Sequence, residues 1–200
     1  MKNAITRLTL SAIVLGTVVT SFDSCKSSKK PTGKPIEQVT GEREISVPFS
    51  TKEYQSDKEN FRAKGSGKSV DLATAKRIAL MNAKSEMASL IQTTIKKVTD
   101  QYTNQRTIGN ASEFSNKFEE LAREVTNQTL TNISVIGEKI TEKEGSYTYW
   151  VAIQANKQEV YDGVNKSVSN NKKLEQDYDK KKFEEIFNSE MDKLAKSKGN

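Results

Sequence analysis

Two hundred residues allow one domain of ordinary size plus extensions. At 34% hydrophobic and 29% charged, with 32 Lys and Arg against 26 Asp and Glu for a net +6, the chain can build only a small core under a highly solvated surface. Histidine is absent and Cys25 is the only cysteine, which excludes an internal disulfide, a Cys-rich metal cluster and any hydrolase built on a Ser-His or Cys-His pair.

The first segment, MKNAITRLTLSAIVLGTVVTSFDSC, has a basic start at Lys2 and Arg7, an apolar run from Leu8 to Val19, and small or polar residues up to Cys25. The run is well short of the roughly 20 apolar residues that cross a bilayer as a helix, and it suits a secretory signal core over residues 1–24. Phe22-Asp23-Ser24-Cys25 resembles a loose bacterial lipobox. That resemblance implies cleavage before Cys25 and acylation of its thiol with two or three fatty chains, an attachment that is effectively permanent. A secreted protein with one free thiol, or an uncleaved membrane helix, are the other readings of this segment. The following KSSKKPTGKP carries lysines, two prolines and no acid, a composition that cannot bury a core, so residues 25–42 read as a basic tether. In lipoproteins of related bacteria an acidic stretch after the cysteine directs surface export. The basic stretch here points to the periplasmic face.

Residues 43–156 read as a domain. REISVPFS (43–50) alternates Ile45, Val47 and Phe49 as a strand, with Pro48 suggesting an edge, and NFRAKGSG (60–67) alternates Phe61, Ala63 and Gly65. Beyond Val70 the period lengthens. Leu72, Ala75, Ala79, Ala83, Met87, Ile91, Ile95, Val98 and Tyr102 mark one long amphipathic helix, capped by Asp71 or Ser69. Gly67-Lys68-Ser69 at its start has the ending of a phosphate-binding loop. That loop requires a glycine five positions earlier, where Arg62 stands within a predicted strand, so no nucleotide site is expected. After Gly109 a second helix carries Phe114, Phe118, Leu121, Ala122 and Val125 on one side.

NISVIGEKIT and SYTYWVAIQA then flank EKEG (142–145) as a hairpin, with Tyr147, Tyr149, Val151 and Ile153 on one face. Trp150 lies on the other face and is expected to be partly buried under a helix; an exposed Trp150 would instead be a binding residue. From Lys157 to the end the chain reads as helix, interrupted near Asn170-Asn171, with Phe183, Ile186, Phe187, Met191 and Leu194 at helical spacing and nearly balanced charge. This C-terminal helical arm, residues 157–200, reads as a segment that packs on the domain or takes a partner helix, and those five residues are its candidate partner-binding face. Glu119-Glu120 and Glu184-Glu185 are adjacent pairs that diverge on a helix, so neither forms a convergent acid pair. Basic and acidic residues are mixed and aromatics do not interleave with lysines, which argues against nucleic acid as a partner.

Residues 61–91, from FRAKGSGKSVDLATAK onward, together with ISVIGEKI and YTYWVAI, resemble the core of the LPP-twenty-type bacterial envelope lipoprotein family over roughly residues 59–155. A related domain occurs in a protein of the flagellar outer-membrane ring. The resemblance implies an envelope location and a binding or scaffolding role, with no catalytic residue to carry over.

The expectation is an α+β fold: an antiparallel sheet of about four strands packed by a long amphipathic helix, with the C-terminal arm attached. The expected protein is anchored in the outer membrane through acylated Cys25. It needs no cofactor, binds no nucleotide, and serves as a noncatalytic scaffold or adaptor for another envelope protein or for itself. A carrier or sensor holding a small ligand, lipid or glycan between helix and sheet is the competing class.

Overall fold

A computed structural model describes residues 45–197. The expected signal segment, Cys25 and the tether lie outside the described residues. After a short 3-10 turn at Lys52–Tyr54 the elements are β1 (Asn60–Ser69), α1 (Leu72–Gln105), α2 (Ala111–Thr129), β2 (Ser134–Lys143), β3 (Ser146–Asn156), α3 (Lys157–Ser169), α4 (Lys172–Asp177) and α5 (Lys180–Ser197). The class is α+β. Among the described residues the sheet has three antiparallel strands in the order β1-β3-β2, not four.

The absent strand is the one expected at 43–50. Within its described part, Ile45 to Val47 are irregular and Pro48 and Phe49 form a turn, with Phe49 at φ +61°. Proline cannot donate to a ladder, and a positive φ breaks strand geometry. The alternation there has another use. The Phe49 ring packs on Tyr54 with centroids 4.7 Å apart, and both rings cover Gly137 of β2.

The hairpin forms as its sequence indicates. Glu144 and Gly145 between β2 and β3 both have positive φ, 52° and 72°, which matches the twist of the flanking strands. A register shift between Val135 and Gly137 places Ile136 as a bulge.

The carboxylate of Asp71 caps α1 by accepting a hydrogen bond from the amide of Thr74 at 2.7 Å. With 34 residues the helix is about 51 Å long, so it outruns the sheet. Its alanine-rich first half, Ala75, Ala79 and Ala83, lies on β1, and its second half, from Ile91 to Tyr102, joins α2 and α5 in a small helical bundle. There Tyr102, Phe114, Phe118, Tyr178 and Phe183 form one aromatic cluster with centroids between 4.8 and 6.3 Å apart. The Tyr102 hydroxyl donates to the carbonyl of Asp177 and accepts from the amide of Asp179, which ties α1 to the connection between α4 and α5.

The C-terminal helices are therefore part of the same core and not an arm outside it. Phe183, Ile186, Phe187 and Met191 are buried, and Leu194 packs partly against the same cluster. The described residues fall in one compact unit.

Candidate functional site

The Gly-Ser-Gly-Lys stretch has a packing explanation. Register with β3 puts Phe61, Ala63, Gly65 and Gly67 on the face toward α1, opposite Ala155, Ile153, Val151 and Tyr149. A Cβ at Gly65 would lie 2.3 Å from the carbonyl oxygen of Ala79 and 2.4 Å from the amide nitrogen of Ala83; at Gly67 it would lie 2.4 Å from the carbonyl oxygen of Ala75. The glycines let helix backbone rest directly on strand backbone. Lys68 projects to the opposite side of the sheet, and Ser69 precedes the helix cap. Residues 60–69 are extended, so no loop encircles a phosphate. The same contact leaves no room at Gly65 and Gly67 for a ligand between helix and sheet.

Titratable clusters of the described residues are arranged for cohesion. The Tyr149 hydroxyl donates to Glu138, and the Lys76 ammonium sits 3.2 Å from the same carboxylate and 5.4 Å from the Tyr149 ring centroid. The hydrogen bond from Tyr149 and the Lys76 charge hold Glu138 below the usual carboxylate range, hydrogen bonding to Tyr149 and Glu138 raises Lys76, and burial raises Tyr149. Every shift runs away from neutrality, so none of the three is poised as an acid or base at pH 7. The cluster joins α1 to the hairpin. Among the described residues no group of three His, Cys, Asp or Glu could hold a metal ion, and no helix is long and apolar enough to cross a membrane.

The predicted partner-binding face is closed. Phe183 lies 5.3 Å from Phe118 and 5.8 Å from Tyr102 between ring centroids, and Phe187 lies 5.7 Å from Tyr161. The stripe faces the bundle because α1, α2 and α3 already occupy the surface it would have offered.

What remains open is the sheet, and its two edges differ. At β1 the Arg62 amide donates to Ser56 Oγ at 2.9 Å, the Ser56 hydroxyl donates to the Arg62 carbonyl at 3.2 Å, and the Asn82 side-chain amide donates to the Ser66 carbonyl at 2.8 Å. Arg62 also pairs with Asp57 at 2.6 Å and donates to Gln154 and to the Gln55 carbonyl, fastening residues 55–57 beside the strand. Along β2, among the described residues, the backbone hydrogen-bonds only to β3. This edge runs ten residues, and Val135 and Ile140 on it are about half exposed.

The sheet face away from α1 carries basic residues that sequence reasoning did not group. Lys64, Ser66 and Lys68 of β1, Trp150 and Thr148 of β3, and Lys139, Thr141 and Lys143 of β2 alternate onto it, with Ser66, Trp150 and Lys139 in one row. A detectable signal existed: lysines four apart in KGSGK and KITEK share a strand face. Glu138 and Glu142 fall on the other side. Trp150 is half-buried in a groove of about 370 Å³ bordered by Val47, Pro48 and Phe49 and, from α1, by Asn82 and Glu86.

Comparison with known proteins adds no relative. No protein-family model matches the chain, and no curated protein matches it.

Proposed function

We propose that the protein is an LPP-twenty-type envelope lipoprotein, held at the periplasmic face of the outer membrane by acylated Cys25, and that it is a noncatalytic adaptor whose partner adds a strand to β2. The observation that carries the adaptor reading is the contrast between edges. A sheet whose β1 edge takes side-chain hydrogen bonds at Arg62 and Ser66, and whose ten-residue β2 edge pairs on one side only, with β3, offers a template for an extended peptide, with main-chain hydrogen bonds for affinity and alternate side chains for specificity. The charge pattern disfavours a second copy. Antiparallel pairing of β2 with itself keeps Glu138 and Glu142 on one face and Lys139 and Lys143 on the other, setting like charges across from one another. The envelope location rests on the signal-like start, the cysteine after it and the resemblance in residues 59–155.

The test is site-specific photo-crosslinking in cells from successive β2 positions, 138 to 142, with exposed Met81 of α1 as control. Strand addition predicts crosslinks to successive positions of one partner, in register, and none in common from Met81. Captures without register, or equal capture from Met81, would dismiss it. The anchor is read separately: native protein should take up labelled fatty acid and Cys25→Ala should leave the membrane.

A further inference from the structure

We propose that the basic sheet face around Trp150 is a membrane-docking surface, which lays the domain flat on an anionic phospholipid bilayer. The surface chemistry comes first. Lys64, Lys68 and Lys139 are exposed and, among the described residues, none pairs with a carboxylate; Lys143 has Glu144 at 3.9 Å at the hairpin tip. Lys139 is opposite the half-buried Trp150, Lys64 and Lys68 lie one row to either side, and Lys143 lies further toward the hairpin tip; Glu86 of α1 lines the groove beside Trp150, while Glu138 and Glu142 project toward the helix side. The flanking strands β1 and β2 are two strand spacings apart, about 10 Å, so the cations are spread across the sheet on both sides of Trp150. An aromatic ring amid ammonium groups on one sheet face is the pattern of a membrane–water interface.

The segment ahead of β1 agrees. Residues 47–49 border Trp150 on the same side of the sheet, and just before them Ile45 is 74% exposed and Val47 49% exposed. Cys25 precedes Ile45 by a stretch that, fully extended, reaches at most about 70 Å. An acyl chain on Cys25 would keep a bilayer within that reach of the lysines, whose attraction to anionic headgroups takes hold once the face comes within a Debye length of about 8 Å. The proposal thus deepens the anchored reading given above. With this face on the bilayer, the helical layer points away from it and the β2 edge is reached from the side.

Trp150 is the sole tryptophan of the chain, so its fluorescence reports the face directly. The experiment uses residues 25–200 with Cys25→Ser, which is unlipidated, mixed with vesicles of phosphatidylcholine alone or with phosphatidylglycerol added. Expected are a shift of emission to shorter wavelength and quenching by brominated lipid on the anionic vesicles only, both lost at high salt. Taking each lysine at an anionic surface as worth about fivefold, Lys64→Ala with Lys68→Ala should weaken binding about thirtyfold. A control pair on the helical layer, Lys96→Ala with Lys166→Ala, should not. Absence of quenching, equal loss with the control pair, or a shift with soluble polyphosphate but none with vesicles would overturn the proposal. Because the protein tested bears no lipid, this result and the fatty-acid labelling of Cys25 fail independently.

Discussion

Gly65 shows how much a single missing methyl group can determine. An alanine there would push its Cβ to 2.3 Å from the Ala79 carbonyl oxygen, an approach that only a shift of α1 can relieve. Overpacking of this kind costs about 1–3 kcal/mol. Gly65→Ala should therefore lower the urea midpoint clearly, whereas Lys68→Ala, on the exposed face, should stay within about 0.5 kcal/mol of the parent. Equal effects would remove the close contact as the reason for the glycines. Glu190 makes a second case. Its carboxylate is buried on α5, where desolvation raises its pKa, but hydrogen bonds from Lys193 and Gln101 outweigh that and leave it lowered. A carboxyl lowered in the folded state stabilises above its unfolded pKa, near 4.5, and that stability is lost as pH falls through the folded value. Between about pH 5 and pH 3, Glu190→Gln should thus lose less stability than the parent. Asp57, Glu138 and Asp179 are lowered as well, so the slope should flatten without vanishing. Identical slopes in acid titration by circular dichroism would show that Glu190 is not coupled to folding.

At the scale of elements, α5 carries the sharpest expectation. Phe183 is fully buried among Tyr102, Phe118 and Tyr178, so Phe183→Ala should cost about 3–5 kcal/mol, and removing residues 180–200 should unfold the domain. A truncated chain that melts cooperatively near the parent temperature would restore the detached arm. The sequence already displayed the stripe of α5. Helical periodicity says that a face is buried, but not against what, and a core neighbour and a foreign helix leave the same spacing. The long helix α1, α2 and the hairpin were legible for the reason that α5 was half legible: their apolar positions keep one period from end to end, and Gly145 marks the turn. REISVPFS misled because its alternation serves ring packing at Phe49 and Tyr54 instead of a ladder.

For the molecule as a whole, the basic face lay beyond sequence reading because its lysines come from three strands and meet only through register. Lys64 and Lys139 are far apart in the chain, and each alone is an ordinary solvated residue. The backbone contact at Gly65 and Gly67 could not be read either, since whether alanines and glycines interlock or leave a cavity depends on how the helix lies on its strand. The same topology sets an order of events in time. Among the described residues the one strand neighbour of β1 is β3, so Asn60 must wait for Asn156 before the sheet can close, while the β2–β3 hairpin and the α1 contact with β1 are near in sequence. A chain delivered from its N-terminus therefore holds β1 with its β3-facing ladder unpaired until the last strand arrives, and α1 is the first element available to shelter it.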